Sequence, residues 1–363
     1  MRQQANSGAM FGLLIMARRA RVSAMPDPVT AKAESGSTTP KRVMMLGGTG
    51  TIGRATVRVL MERGHDVTCF LRKRDGATDA GIPPELAGAA LRFGDLADPQ
   101  SWQKDGFCGE AFDVLVSCLA SRTGAPKDAW AIDHQAHLYA LEAAQQAGVK
   151  HMVLLSAICV QKPLLAFQHA KLAFEKALME SGMTWSIVRP TAFFKSLSGQ
   201  LDRVKAGKPF LLFGDGELTA CKPISDNDLG NYLADCLDDP ALHNRILPIG
   251  GPGPAITPLQ QGEKLLALLG KEPKYSRVPP AMMSVIIGIL KMLGWIIPAA
   301  RDKAELARIG RYYATESMLV LNPETGEYDA DATPEYGSET LFDYYQQLVR
   351  GEAEAERGDH AVF

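Results

Sequence analysis

The amino-acid sequence predicts an α/β fold built on a doubly wound parallel sheet. Apolar, strand-like runs alternate with amphipathic helical stretches up to residue 190, which is the order that places parallel strands side by side with helices on both faces. The first run, 42–46, ends in a glycine-rich turn, and the run 113–119 is apolar throughout, as expected of a strand covered on both faces. These observations predict a ligand crevice at the carboxyl ends of the strands.

A glycine-rich turn joins the first strand to the first helix. Residues 47–53 read GGTGTIG, and an amphipathic stretch continues from Arg54 to Arg63. Glycine at the first, fourth and seventh positions permits a tight turn, a close approach to a pyrophosphate and close seating of the helix, whose N-terminus offers free N–H groups. The spacing G-x-x-G-x-x-G resembles that of the short-chain dehydrogenase/reductase superfamily, especially its extended and atypical branches. We therefore predict a Rossmann-like dinucleotide site contacted by Gly47, Gly50, Thr51, Ile52, Gly53 and Arg54.

The end of the second strand, 66–71, indicates which dinucleotide binds. An NAD enzyme places Asp or Glu here against the ribose 2′-hydroxyl, whereas this chain continues with Arg72-Lys73-Arg74. We predict that NADPH binds, with Arg72 as the main contact of its 2′-phosphate and Arg54 as the second. Each charge-assisted contact of this kind contributes about 1.5 to 3 kcal/mol, which is enough for a preference over NADH. A solvated basic turn is the alternative.

Two more strand ends supply candidates for the cofactor site. The resemblance to the superfamily implies that the turn after the third strand, 90–93, lies beside the adenine, with Asp95 as the candidate; a local turn role is the alternative. Ser117, at the end of the fourth strand, is expected at the crevice. A helix is predicted over 130–147, and its His134 and His137 are interpreted as ordinary polar positions because no third metal ligand is evident.

The fifth strand is predicted over 151–156, and the helix after it carries the candidate catalytic lysine but lacks the tyrosine expected beside it. Reductases of the superfamily carry Tyr-x-x-x-Lys here, so that the lysine lowers the tyrosine pKa and grips the nicotinamide ribose. This chain has Phe167 and Lys171 at the two positions, so the lysine is present and the tyrosine is not. Phenylalanine cannot protonate the alkoxide that forms when a ketone is reduced. Hydride addition to a conjugated C=C bond is therefore favoured, and a protein that senses NADP without catalysis is the alternative.

The second half contains several long motifs, in residues 189–197, 208–216, 221–226, 247–253, 309–314 and 322–328. Their sequences and their order resemble the NADPH-dependent divinyl chlorophyllide 8-vinyl reductases. The resemblance runs from about Lys41 to Arg350, and Ser225 with Asp228 also predicts a capped helix start within it. It implies reduction of the C8-vinyl group of 3,8-divinyl chlorophyllide or protochlorophyllide to ethyl, during chlorophyll or bacteriochlorophyll synthesis.

The chemistry that the resemblance implies agrees with the missing tyrosine, because a conjugated vinyl group has no carbonyl oxygen to protonate. Hydride from NADPH would reach the vinyl terminus, with Lys171 holding the nicotinamide ribose and available to relay a proton, and with Phe167 as an apolar wall. Two alternatives stay open. One is an NADP-binding sensor or assembly protein without catalysis, and the other is an atypical reductase of another conjugated alkene, such as a quinone or a phenylpropanoid.

A flat, apolar Mg-porphyrin or chlorin pigment needs an apolar pocket. Phe193 and Phe194 are expected at the crevice, while Arg189 and Lys195 are expected either to meet the pigment's propionate or to have structural partners. The apolar segment 282–297 is short for a membrane span and contains a lysine. Three interpretations follow for it: a buried or lid helix, a peripheral membrane contact, or a transmembrane span.

The 363 residues are expected to form four parts: a disordered extension over 1–40, an NADP-binding domain over 41–195, a smaller C-terminal substrate-binding lobe over 196–350 from which segments could return to the sheet, and a disordered tail over 351–363. Alternatively, residues 1–40 are a transit peptide, or translation begins at Met25. A net charge of −2 does not indicate a nucleic-acid partner, and the six cysteines lack metal-ligand spacing. The expected location is a bacterial cytoplasm, with or without membrane association, and a chloroplast is the alternative.

Overall fold

The computed structural model describes residues 39–73, 82–295 and 297–353. Nearly all of the extension predicted over 1–40 and of the tail predicted over 351–363 lies outside these ranges, as does Arg74 of the basic turn. The expectations for those residues stay predictions.

A parallel sheet of seven strands forms the centre of the described chain. Its order is β3-β2-β1-β4-β5-β6-β8, which confirms the predicted doubly wound sheet, and the order reverses between β1 and β4. Ligands of open α/β sheets bind at such a switch point. The first eight strands are, in chain order, β1 (Arg42–Leu46), β2 (Asp66–Arg72), β3 (Ala90–Gly94), β4 (Val114–Ser117), β5 (His151–Leu155), β6 (Thr184–Pro190), β7 (Phe210–Phe213) and β8 (Arg245–Ile249).

Helices cover both faces of the sheet. They are, in chain order, α1 (Thr51–Glu62), α2 (Pro99–Ser101), α3 (Pro126–Ala129), α4 (His137–Gln146), α5 (Ala166–Glu180), α6 (Phe194–Leu197), α7 (Leu201–Lys205), α8 (Asp226–Asp238), α9 (Pro258–Leu268), α10 (Pro280–Leu293), α11 (Pro298–Thr315) and α12 (Leu341–Arg350). Short 3₁₀ turns occur at Pro84–Leu86, Ile158–Gln161 and Pro240–Leu242, and π-helical turns at Trp102–Phe107 and Trp130–Ala136. The start predicted for α8 is confirmed, because Ser225 Oγ accepts a hydrogen bond from the backbone N–H of Asp228.

The side chains of successive residues of β1 point to opposite faces of the sheet. Val43 and Met45 belong to the apolar core shared with α1 and α8, whereas Met44 and Leu46 belong to the core beneath α4 and α5. Side chains alternate along a strand, so a strand buried on both faces must be apolar at every position. This requirement explains the continuous apolar run from which β1 was predicted.

The single helix predicted over 130–147 is wrong in detail. α3 leads into the π-helical turn Trp130–Ala136, and α4 continues from there. A π-helical turn holds more residues than an α-helical one, so it rotates the side chains that follow it around the helix axis. Apolar periodicity alone could not show this change, which determines where Asp133 and His137 lie.

The stretch 196–350 contributes both to the large sheet and to smaller structure around it. β8 is a strand of the large sheet, and α8 packs on that sheet beside α1. β7 pairs with β9 (Tyr275–Val278), and β10 (Val320–Leu321) pairs with β11 (Tyr328–Asp329). A third apolar core joins β7, α9, α11 and α12 through side chains such as Leu212, Leu265, Tyr312 and Tyr345.

The predicted apolar segment 282–297 forms most of α10 and the connection that leads to α11, and α10 and α11 together make a helical hairpin. Ile287 is buried in α10, but the large apolar side chains around it are exposed, so the prediction of a buried helix is wrong. Among the residues that the structure describes, no helix has both the length and the apolar character needed to cross a bilayer.

Candidate active site

The turn between β1 and α1 is packed too tightly for side chains. Gly47 has a φ of +72°, and a Cβ there would lie 2.6 Å from the backbone of Cys118. A Cβ at Gly53 would clash with the carbonyl oxygen of Gly47, so this glycine lets α1 sit directly on the turn. α1 has no side-chain cap and no acidic residue in its first turn. Its first N–H groups lack intrahelical partners, as in any α-helix, and suit an anion.

A lysine from α6 reaches the start of α1. Lys195 Nζ donates to Thr51 Oγ1 at 2.7 Å. Sequence reasoning gave Lys195 either the pigment's propionate or a structural partner, and the hydrogen bond to Thr51 matches the structural alternative. The bond also brings the ammonium group to a helix N-terminus, which favours an anion. Nothing in the sequence around Lys195 indicated this neighbour, because α6 and α1 are far apart along the chain.

The residues predicted for the adenosine end lie at the carboxyl ends of β2 and β3. Arg72 is exposed and pairs across the strands with Gly94. Arg54 Nη1 lies 3.4 Å from Glu85 Oε1, so that guanidinium has a carboxylate beside it. Asp95 Oδ1 accepts from the N–H of Ala97 at 2.9 Å, which is the local turn role. Its contact with the adenine stays a prediction.

Lys171 forms a buried ion pair that sequence reasoning missed. Its Nζ lies 3.0 Å from Asp133 Oδ1, and the two side chains are 11% and 0% exposed. The same carboxylate oxygen accepts from the N–H of Ser121 at 3.2 Å. Asp133 lies in the π-helical turn, whose altered register brings it to face α5. A small cavity lies between this pair and β5, lined by Asp133, His137, Leu154, Leu155, Ser156, Lys171 and Phe174.

His137 is buried beside this ion pair and is neutral. Its Nδ1 donates to the carbonyl of Ile132 at 2.8 Å, so its Nε2 accepts from Ser117 Oγ, also at 2.8 Å. Burial, followed by the charge of Lys171, lowers the pKa of His137 to about 4. Ser117 is thus engaged inside the fold, and its predicted cofactor contact stays a prediction. The described residues contain no group of three or more metal-ligating side chains.

Arg189 has a structural partner. Its Nε donates to Glu175 Oε1 at 3.2 Å, and its Nη2 pairs with the other carboxylate oxygen. Ser156 Oγ also donates to this carboxylate, which is buried. Sequence reasoning gave Arg189 either the pigment's propionate or a structural partner, and this network matches the structural alternative.

The predicted aromatic residues differ in their surroundings. Phe167 is half-buried. Its ring and Ile309 of α11 both border Gly124, because a Cβ added to Gly124 would lie 3.6 Å from the ring and 2.9 Å from Ile309. Phe193 is half-buried against the core under α1 and α8. Phe194 is buried, with its ring centroid 5.6 Å from that of Tyr344, so packing accounts for it. Contact of these rings with a pigment stays a prediction.

α11 is attached to the beginning of α5. Glu305 Oε1 accepts from the N–H of Ala166 at 3.3 Å, and Arg308 Nη2 donates to the carbonyl of Leu164 at 2.7 Å. A carboxylate at a helix N-terminus is favourable. The exposed apolar hairpin is therefore joined to the helix that carries Lys171.

Comparison with known proteins identifies a matching family and similar chains. The family model described as NAD(P)H-binding matches residues 47–240. The chloroplastic divinyl chlorophyllide a 8-vinyl-reductase of Cucumis sativus is 49% identical over 355 residues, which cover 94% of this chain and 85% of that protein. A photosystem II assembly factor of Trieres chinensis is 25% identical over 257 residues, covering 70% and 77%. An NADPH-dependent quinone oxidoreductase from Escherichia coli, solved with NADPH, has a TM-score of 0.61 at 18% identity, covering 84% and 99%; this likeness shows the fold alone.

Proposed function

Because the chain belongs to the family of divinyl chlorophyllide a 8-vinyl-reductases, we propose that it reduces the 8-vinyl group of a divinyl chlorophyllide to ethyl with NADPH. One structural observation carries the proposal. The glycine-rich turn follows β1, and α5, which carries Lys171 and Phe167, lies between β5 and β6 of the same parallel sheet. In this proposal Lys171 holds the nicotinamide ribose, and Phe167 stands where carbonyl reduction needs a phenol. That combination favours reduction of a C=C bond.

The residues of the crevice fit NADPH. The turn 47–53 has no room for a Cβ at Gly47 or Gly53, and the first turn of α1 lacks acidic side chains, as a pyrophosphate requires. In this proposal Lys195 assists the same phosphates, Arg72 holds the 2′-phosphate, and Lys171 holds the nicotinamide ribose. NADPH supplies the hydride when it is bound.

Reduction of the vinyl group breaks one π bond and forms two C–H bonds. One new hydrogen arrives as hydride, with oxidation of NADPH to NADP⁺, and the other arrives as a proton. We assign the proton to the Lys171 ammonium group, which would pass it to the carbon that does not take the hydride and regain it from solvent. Phe167 supplies an apolar wall, which excludes water from the reacting carbons.

A peripheral membrane contact through 282–297 is part of the proposal. Val285, Ile289, Met292 and Trp295 are 61%, 51%, 74% and 88% exposed, and a large apolar patch of this kind marks a partner or a membrane. The stretch 280–297 contains Lys291 and no acidic residue, which suits an anionic bilayer surface. Because α11 is joined to α5, pigment dissolved in the bilayer would reach the protein close to Phe167.

The test is conversion of divinyl to monovinyl chlorophyllide by the protein and NADPH, followed as a small blue shift of the Soret band. We expect Lys171→Ala to lower turnover by about a hundredfold or more, because general acid catalysis contributes 10²–10⁴-fold. Lys176→Ala is the matched control, since Lys176 is exposed on the same helix. NADPH binding is measured separately. Undiminished turnover in Lys171→Ala would overturn the role of this lysine, and an unchanged wild-type spectrum would overturn the function.

The runner-up function is an NADP-binding assembly protein without catalysis. The assembly factor of Trieres chinensis favours it, at roughly half the identity of the reductase from Cucumis sativus. Binding of NADPH together with an unchanged pigment spectrum is its expected result. A role in bacteriochlorophyll synthesis and a bacterial cytoplasmic location stay predictions; the relative from Cucumis sativus is named as chloroplastic.

A further inference from the structure

The π-helical turn Trp130–Ala136 delivers a carboxylate to the interior of the site. Asp133 is 2% exposed and points to α5, where its carboxylate meets Lys171. π-helical turns occur as single turns within α-helices, frequently at functional sites, and shift a side chain away from where a regular helix would place it. Here the turn places a negative charge against Lys171.

The carboxylate of Asp133 is incompletely satisfied. Oδ1 contacts both Lys171 Nζ and the N–H of Ser121, whereas Oδ2 is buried and has no hydrogen-bond partner among the described residues. An unmatched buried oxygen carries a desolvation cost, so this carboxylate is not arranged for stability alone. A functional demand on the pair accounts for keeping it.

The other groups around Lys171 supply no negative charge in direct contact. His137 is neutral because burial lowers its pKa to about 4, and the thiols of Cys118 and Cys159 are protonated because burial raises their pKa values. Glu175, one turn further along α5, is paired with Arg189 and bonded to Ser156. Asp133 is therefore the counter-ion that holds the ammonium group.

We propose that Asp133 is a positioning residue of the reaction: its carboxylate fixes the Lys171 ammonium group at the crevice. Removal of the charge leaves a buried ammonium group without its counter-ion, so the lysine side chain loses its fixed position. An ammonium group displaced from that position cannot deliver its proton to the substrate carbon. The inference rests on the proposed role of Lys171.

The experiment compares Asp133→Asn, Asp133→Glu and the control Glu142→Gln, which removes an exposed charge from α4. Acylation of Lys171 by acetic anhydride is followed at one fixed pH by mass spectrometry, because a lysine held in a buried ion pair is shielded from the reagent. We expect Asp133→Asn to be labelled about tenfold faster than wild type, since the released side chain can reach the solvent. Asp133→Glu, which keeps the charge, and Glu142→Gln should be labelled as wild type is.

Turnover separates positioning from general stability. We expect Asp133→Asn to lower kcat about a hundredfold, with little change in KM for the pigment, and Asp133→Glu to restore part of it. Equal labelling of Lys171 in Asp133→Asn and wild type would overturn the inference. If Asp133→Asn does not fold, labelling of a folded Asp133→Glu faster than wild type would also overturn it. Wild-type protein that fails to reduce the pigment would defeat the proposed function, while the labelling result would still decide the role of Asp133.

Discussion

At the scale of single residues, three cations on separate elements surround the crevice. Arg72 ends β2, Lys195 lies in α6 and donates to Thr51, and Lys171 lies in α5 against Asp133. Arg72 and Lys171 could be found from the sequence because each stands at a fixed distance from a recognisable strand or helix. Lys195 and Asp133 could not be placed, because their neighbours come from distant parts of the chain and, for Asp133, from a π-helical register.

The positions of Arg72 and Lys195 predict that their substitutions change the affinities for NADPH and NADH differently. Arg72→Ala should weaken NADPH binding by roughly ten- to a hundredfold and leave NADH binding unchanged, because only NADPH carries the 2′-phosphate. Lys195→Met should weaken both cofactors about equally, because both share the pyrophosphate near α1. Fluorescence titration with each cofactor measures the effects.

Lys150→Ala is the control for both substitutions, since Lys150 is exposed and directly precedes β5, at the amino ends of the parallel strands. An equal loss of NADH and NADPH binding in Arg72→Ala would contradict the assignment of that residue to the 2′-phosphate. A selective loss of NADPH binding in Lys195→Met would contradict a pyrophosphate contact.

At the scale of elements, the strands were predictable and the α10–α11 hairpin was not. The inner strands β1, β4 and β5 are short apolar runs packed between two cores, so their sequences are constrained at nearly every position. The apolar run 282–297 is equally conspicuous, but a buried helix, an interfacial helix and a lid share its composition. The exposure of Val285, Ile289 and Trp295 in the folded chain excludes the buried helix, and the interfacial helix stays a prediction.

The hairpin predicts binding to anionic bilayers. We expect the triple variant Val285→Ser, Ile289→Ser, Trp295→Ser to lose at least about tenfold in affinity for phosphatidylcholine vesicles that contain phosphatidylglycerol, because burial of each apolar side chain contributes about 1.5 to 3 kcal/mol. Its thermal midpoint should not fall, since these side chains are exposed. Vesicle co-sedimentation measures the binding.

Met179→Ser is the matched control for the hairpin, because Met179 is an exposed apolar side chain at the far end of α5. It should bind vesicles as wild type does. Wild-type protein that stays in the supernatant at every phosphatidylglycerol content would refute the membrane contact, and the triple variant would then identify no docking surface.

At the scale of the whole molecule, the interior that supports the crevice contains neutral histidines. His137 lies beneath the Lys171 helix, with its ring 4.7 Å from Phe174, and His151 begins β5 with its ring 4.4 Å from His243. Burial, the largest cause for each, lowers the pKa of His137 to about 4 and that of His151 to about 3. The sequence marked neither as buried: His137 was interpreted as an ordinary polar helix position, and His151 only as the start of a strand.

These two histidines predict a loss of stability in acid. Their pKa values in the folded chain lie below the ordinary value of 6.5, so the unfolded chain binds protons that the folded chain excludes. Their contribution is complete above about pH 6.5 and declines toward pH 4 for His137 and pH 3 for His151, by up to about 1.4 kcal/mol per pH unit for each residue.

Urea unfolding at about pH 7.5 and about pH 5 tests this dependence. His151→Asn should lower the free energy of unfolding at the higher pH, because the bond between His151 and Ser186 is disturbed, yet it should show a smaller decrease on acidification than wild type. The exposed His169 provides the control, since His169→Asn removes a histidine that water already solvates. A decrease of the same size in His151→Asn and wild type would mean that other groups govern the acid limit of this fold. Glu335 is one such group, because its hydrogen bonds from Lys222 and Gly253 outweigh its burial and lower the pKa of its carboxyl.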